Sequence, residues 1–194
     1  MRHLTVSATI VAGLLVASTA DAGPYFRFDL GLAGLYAHDV QSDAFTSVRG
    51  IGYSVTLAGG YSINRKLALF AELSHTSVSG KMTGEENALN GDLDVRTLVL
   101  GAGLGVAYYF QPRTYGFASA LVTACAFEQN TYDSPTTLTS YGNPFVTVGV
   151  ARNGASSGFG VYGKLLLGLM HETGYTEYTA PTLAFILGAN VSIH

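Results

Sequence analysis

The chain has 194 residues, of which 48% are hydrophobic and only 12% charged, with a formal net charge of −3. A soluble domain usually carries about a quarter charged residues, and the absence of any Lys/Arg cluster excludes a basic nucleic-acid surface. Cys125 is the single cysteine, which excludes an intramolecular disulfide and leaves it as a small apolar filler.

The first residues, MRHLTVSATIVAGLLVASTADAG, place Arg2 before an apolar core from Leu4 to Val16 and then small residues ending in Ala20-Asp21-Ala22. This is the pattern of a cleavable secretory signal. Residues 1–22 are therefore expected to be a signal peptide and residues 23–194 a single domain. An uncleaved helical anchor is disfavoured because the core is short for a bilayer. No cysteine follows the cleavage region, so lipoprotein attachment is not expected. Beyond this segment no run of about 18 apolar residues exists, which argues against helical membrane spans.

From Pro24 to Ala37, Phe26, Phe28, Leu30, Leu32 and Tyr36 share one face, and Tyr25, Arg27, Asp29, Gly31 and Ala33 the other. That period of two is the signature of a strand. A polar segment, His38 to Arg49, precedes a second strand in which Tyr53, Val55, Leu57 and Tyr61 alternate with Ser54, Thr56, Ala58 and Ser62. Asn64-Arg65-Lys66 predicts a short turn. In the third strand Leu67, Leu69, Ala71 and Leu73 oppose Phe70, Glu72, Ser74 and Thr76, and a long polar loop is expected from Gly80 to Asp94.

The fourth strand, Val95 to Phe110, shows the alternation most clearly. Leu98, Leu100, Ala102, Leu104, Val106, Tyr108 and Phe110 face one way, while Gly101, Gly103 and Gly105 lie in the opposite row. A helix would lose about 0.8–1 kcal/mol at each glycine relative to alanine, so strand is the better assignment. Nor do these glycines form G-x-G-x-x-G, since Val106 stands where the last glycine would be, and no nucleotide site is implied.

Pro112 and Arg113 predict a second short turn. Alanines dominate one face of the fifth strand, Tyr115 to Phe127, and Phe117, Leu121 and Phe127 are expected outward. A long loop is expected from Glu128 to Ser140. Val146, Val148 and Val150 then oppose Thr147 and Gly149, and Asn153-Gly154 opens a third short turn. In strand seven Phe159, Val161, Leu165, Leu167 and Leu169 oppose Gly160, Tyr162, Lys164 and Gly168. After a loop from His171 to Thr179, strand eight sets Leu183, Phe185, Leu187, Ala189, Val191 and Ile193 against Thr182, Ala184, Gly188, Asn190 and Ser192.

Eight strands joined alternately by long and short connections predict an all-β fold, an eight-stranded antiparallel up-and-down transmembrane β-barrel. Closure satisfies every backbone group in lipid. A soluble lipocalin-like barrel would reverse the polarity and would not leave apolar rows in water. Two aromatic girdles are expected: Tyr25, Tyr61, Phe110, Tyr115 and Phe159 near the turns, and Tyr36, His75, Tyr141, His171, Tyr175 and Tyr178 near the loops.

On the signal peptide, the alternating strands, the GAGLGVAYYF stretch and the loop alternation, residues 23–194 resemble the small eight-stranded bacterial outer-membrane barrels of the OmpA-transmembrane-domain and OmpX/Ail type. The resemblance implies a cell outer-membrane location. It also implies a C-terminal aromatic read by the assembly machinery, where this chain ends in Ile193-His194.

Four charged residues, Arg27, Asp29, Glu72 and Lys164, fall on inward rows near mid-strand. A narrow lumen filled by side chains requires them to pair, so a structural ion-pair network is expected. The sharper alternative, carried by the resemblance to OmpA-like barrels, is a gate in a narrow ion-conducting pore. His75 and Ser77 share the outward parity of Leu69 and Leu73, and Glu85 or Glu86 would complete a catalytic set. This is similar to the lipid A 3-O-deacylases, which implies a lipid A-modifying hydrolase as an alternative; there the asparagine expected after the serine is Val78. The loops carry Asp39, Asp43, Glu85, Glu86, Asp92, Asp94, Glu128, Asp133, Glu172 and Glu177 against Arg49 and Lys81, whereas the turns carry Arg65, Lys66, Arg113 and Arg152. No EF-hand-like spacing marks a metal site, and no cofactor is expected.

The expected protein is thus a monomeric, non-enzymatic outer-membrane barrel with a structural or surface-interaction role. Its acidic loops would be extracellular. Its expected partners are outer-membrane lipid, lipopolysaccharide and an extracellular ligand met by the long loops.

Overall fold

The computed structural model describes residues 23–38, 47–83, 93–130, 135–154, 158–172 and 178–193. The signal peptide assigned to residues 1–22 lies outside them. Eight strands follow in order: β1 Gly23–His38, β2 Ser47–Asn64, β3 Leu67–Thr83, β4 Leu93–Gln111, β5 Thr114–Asn130, β6 Pro135–Asn153, β7 Phe159–Glu172 and β8 Tyr178–Ile193. Each pairs antiparallel with its chain neighbours, and β1 also pairs with β8, from Phe26 opposite Ile193 to Ala37 opposite Thr182. The sheet is therefore a closed barrel, without the unpaired edge that hydrocarbon would leave unsatisfied.

Strand parity sorts the side chains. Leu32, Ile51, Leu73, Leu104, Val161 and Leu187 stand outward, 54–75% exposed, whereas Ser54, Thr56, Thr147, Asn190 and Ser192 are buried inside. Large apolar side chains outside and hydroxyls, amides and charges inside reverse the arrangement of a soluble barrel. At the β2–β3 turn, Asn64 Oδ1 accepts hydrogen bonds from the backbone N–H of Lys66 at 2.8 Å and of Leu67 at 2.9 Å. This side-chain mimicry of a turn explains why three polar residues suffice to reverse the chain.

Strand β5 corrects the sequence reading. Tyr115, Phe117 and Leu121 are 0–3% exposed and point into the lumen, Phe127 is partly buried against the same core, and the outward row is Gly116, Ala118, Ala120, Val122, Ala124 and Ala126. The reason is complementary volume across the barrel. A Cβ on Gly101 would come within 3.2 Å of Leu121 Cδ1, and one on Gly149 would overlap the Phe117 ring, so inward glycines of β4 and β6 leave the space that the large residues of β5 fill. Tyr25 and Tyr115 are likewise interior, 2% and 0% exposed, and are not girdle residues.

The loops expected at Gly80 to Asp94 and Glu128 to Ser140 are shorter than read, because β3 runs to Thr83, β4 begins at Leu93, and β5 and β6 continue to Asn130 and from Pro135. Thr and Ser are compatible with strand ladders, so polar composition alone misplaced these ends. On β6, Gly142 adopts φ 77° where Thr123 pairs with Asn143 and Ala124 with Tyr141, a bulge that glycine accommodates without strain.

Candidate functional site in the barrel lumen

Three strands deliver four charges to one level of the lumen. Arg27 and Asp29 are successive inward residues of β1, Glu72 comes from β3 and Lys164 from β7, and all four are 0–3% exposed. Arg27 Nε lies 3.1 Å from Asp29 Oδ2, and Arg27 Nη2 lies 3.4 Å from Glu72 Oε2. The other Glu72 oxygen is 4.0 Å from Lys164 Nζ, which donates to Thr56 Oγ1 at 2.5 Å. Ser119 donates its hydroxyl to Glu72 Oε2 at 2.9 Å. Two cations and two carboxylates thus form a neutral set in which Glu72 joins the β1 pair to Lys164. Charges taken out of water persist only with such partners.

Aromatic rings complete the enclosure. The Arg27 guanidinium carbon lies 3.8 Å from the Phe117 ring centroid and 5.1 Å from that of Phe70. Phe70 stacks on Tyr25 at 5.5 Å between centroids, and Tyr115 lies 6.2 Å from Phe117 and 4.9 Å from Tyr109. Below this, at the short-turn end, Asn190 Nδ2 donates to the Tyr115 hydroxyl at 3.0 Å and to Asn153 Oδ1 at 3.2 Å, while Asn153 Nδ2 donates to Ser192 Oγ at 2.6 Å. The amide network was not singled out from the sequence. The inward parity of Asn153, Asn190 and Ser192 is the signal that locates it. Toward the loops the lumen is mixed, with Leu35, Val78, Val99, Leu166 and Met170 at 1–4% exposure among buried Thr76, Thr97, Thr123, Asn143 and Thr182.

The two described members of the candidate catalytic set, His75 and Ser77, each contact another residue. His75 lies on the outward face of β3 with Nε2 3.3 Å from the Tyr53 hydroxyl, whereas the Ser77 hydroxyl accepts a hydrogen bond from Arg96 Nε at 3.3 Å. No described hydrogen bond joins His75 to Ser77, and alternate strand residues stand about 6.6 Å apart along one face. Glu85 and Glu86 lie outside the described residues. Among the described residues no group of His, Cys, Asp and Glu is arranged to hold a metal ion.

On the loop half of the outer face, three basic residues sit on adjacent strands. Arg49 of β2 is opposite Lys81 of β3, Lys81 Nζ is 2.7 Å from Asp94 Oδ1 of β4, and Arg96 Nη1 is 3.8 Å from Glu128 Oε2 of β5. These side chains are exposed or half exposed, so the pairs are worth little as stabilisers.

No family model matches this chain, and no curated protein matches it. Solved structures do. The attachment invasion locus protein Ail of Yersinia pestis aligns over 87% of this chain and 98% of its own, at 10% identity and a TM-score of 0.59. Neisserial surface protein A aligns over 88% and 97%, at 16% identity and 0.62. The outer membrane protein AlkL, solved in lipid bilayers, aligns over 92% and 94%, at 14% identity and 0.54. At these identities the likeness is one of fold, and the fold is that of the small eight-stranded outer-membrane β-barrels.

Proposed function

We propose that this protein is a non-enzymatic barrel of the cell outer membrane, with a lumen plugged and braced by Arg27, Asp29, Glu72 and Lys164, and with its surface interactions at the loop end. The observation that carries this reading is the burial of a charge-balanced network across the middle of a barrel whose outer face is apolar. A plug of this kind holds opposite walls together and leaves no water column. Short turns conventionally face the periplasm, which puts the loops outside the cell. Long connections on a rigid scaffold are where binding residues tend to be placed. Arg49, Lys81 and Arg96 then lie at the depth of the outer-leaflet headgroups, where they would meet lipopolysaccharide phosphates.

Protease added to intact cells tests the orientation: cleavage is expected within residues 84–92, and the turns at 64–66, 112–114 and 153–156 should be spared. Cleavage confined to those turns would mean an inverted barrel. The hydrolase reading has its own check, mass spectrometry of lipid A from cells with and without the protein. Unchanged acylation is expected. An acyl chain lost in the presence of the wild-type protein but kept with His75→Ala would establish the enzyme instead.

A further inference from the structure

We propose that the short-turn end of the barrel is a docking rim for anionic phospholipid, with Arg113 and Arg152 holding one headgroup phosphate and Arg65 with Lys66 a second. The distribution of charge leads here. Of the ten Lys and Arg residues, Arg2 precedes the barrel, Arg27 and Lys164 are in the lumen, Arg49, Lys81 and Arg96 are on the loop half, and the remaining four are at the short turns. The spans that contain those turns, 44–71, 95–127 and 134–171, include no Asp or Glu. Turns of one sign are thus written into the sequence, while the acids outside the lumen, apart from Asp21 in the expected signal peptide, fall in or beside the long connections.

The turns gather this charge around two shallow, open depressions. Arg113 and Arg152 line one together with Gln111, Thr114, Asn153 and Gly154, and the Asn153 backbone N–H donates to the Arg113 carbonyl at 2.8 Å, fixing the two turns against each other. Arg65 and Lys66 line a second with Asn64, Leu67 and Tyr108, on the turn that the Asn64 side chain holds. No acidic side chain lines either depression. Guanidinium forks match phosphate oxygens two at a time, and a preset backbone lowers the ordering cost of binding.

The position of Arg152 selects a lipid over a soluble polyanion. It continues the outward row Val146, Val148 and Val150, which are 47–53% exposed on the apolar face, so its stem rises from the hydrocarbon surface and its head reaches the headgroup layer. Tyr61, Tyr108, Phe110 and Phe159 are 46–62% exposed around the same end, the placement of an interfacial aromatic girdle. A water-borne partner would have to displace lipid headgroups to reach that guanidinium.

The inference goes beyond the surface role proposed above and requires only that the barrel spans a bilayer. Spin-labelled phosphatidylglycerol and phosphatidylcholine, compared by electron paramagnetic resonance in vesicles holding the purified protein, report the relative affinity of the perimeter for each headgroup. This readout is blind to barrel orientation, so its failure is distinct from a failure of the protease test. The wild-type protein should prefer phosphatidylglycerol about fivefold per engaged cation, and the preference should shrink toward parity in 1 M salt, where the Debye length is about 3 Å. Arg65→Gln, Lys66→Gln, Arg113→Gln and Arg152→Gln together should abolish most of it in protein that keeps folded mobility on an unboiled gel. If the fourfold variant does not fold, the two pairs are read separately. The loop-end variant Arg49→Gln, Lys81→Gln, Arg96→Gln should retain the larger part. Equal association of both lipids with the wild type, an unchanged preference in the rim variants, or a preference lost only in the loop-end variant would overturn the proposal.

Discussion

The guanidinium carbon of Arg27 stands 3.8 Å from the centroid of Phe117, so the cation carried in by β1 rests on an aromatic face that β5 turns into the lumen. Desolvated cation–π contacts reach about 2 kcal/mol, and here the ring also fills volume beside Gly149. Phe117→Ala should destabilise the barrel by about 3–5 kcal/mol. Phe117→Leu, which keeps most of the volume and loses the π face, should cost less than Phe117→Ala. The chain contains no Trp, so urea unfolding in lipid is best followed by circular dichroism. A neutral Phe117→Ala would refute the inward register of β5.

Glu72 is the hinge of the ion-pair set, because its two oxygens face Arg27 and Lys164 separately. Removing one member of a buried pair leaves a charge without its partner, at about 3–5 kcal/mol. Glu72→Ala and Lys164→Ala should each lower unfolding stability by that order, and the double variant should cost clearly less than the sum. Arg113→Ala, on an exposed turn, should stay within about 0.5 kcal/mol. Additive costs for the double variant would show that the two residues do not act on one another.

A Cβ on Gly105 would fall 2.5 Å from Phe70 Cε2, whereas one on Gly34 or Gly59 would meet nothing within 4 Å. Gly105→Ala should therefore displace the Phe70 ring beside Arg27 and cost about 1–3 kcal/mol, the range for overpacking a filled core. Gly34→Ala and Gly59→Ala should be close to neutral in the same unfolding assay. Equal tolerance at all three positions would contradict the packing described for the lumen.

In seven of the eight strands the membrane-spanning residues were legible down to the side on which they lie, the girdle placement of Tyr25 aside, because rows such as Leu183, Phe185 and Leu187 alternate with small or polar partners. Strand β5 was not legible. Its outward row is mostly alanine, so hydrophobicity gives no contrast, and the inward placement of Phe117 and Leu121 depends on glycines of other strands. The lumen charges could be put on inward rows from parity alone. Their mutual distances, and the central position of Glu72, depend on barrel closure and strand stagger, which pairwise alternation does not contain. Loop lengths were overread for the same kind of reason: Thr, Ser and Asp mark polarity, and a strand that leaves the membrane is polar too.

With Arg27, Asp29, Glu72 and Lys164 packed across the lumen and Leu35, Val99 and Leu166 packed beyond them, the purified wild-type protein should give no discrete conductance steps in planar bilayers. Glu72→Ala or Lys164→Ala, if still folded, should admit water and raise the baseline or produce small steps. Regular unitary conductance in the wild type, with ion selectivity altered by Glu72→Gln, would show the network to be a gate.

The lumen network, the apolar outer face and the basic rim all require a closed barrel lying in the outer membrane. Cells expressing the chain can be fractionated and the outer-membrane fraction run on a denaturing gel with and without boiling, with circular dichroism of the purified protein alongside. The expected result is a band confined to that fraction that migrates faster unboiled than boiled, with a sheet-dominated spectrum. A soluble periplasmic protein, a mobility unaffected by heat, or a helical spectrum would contradict it.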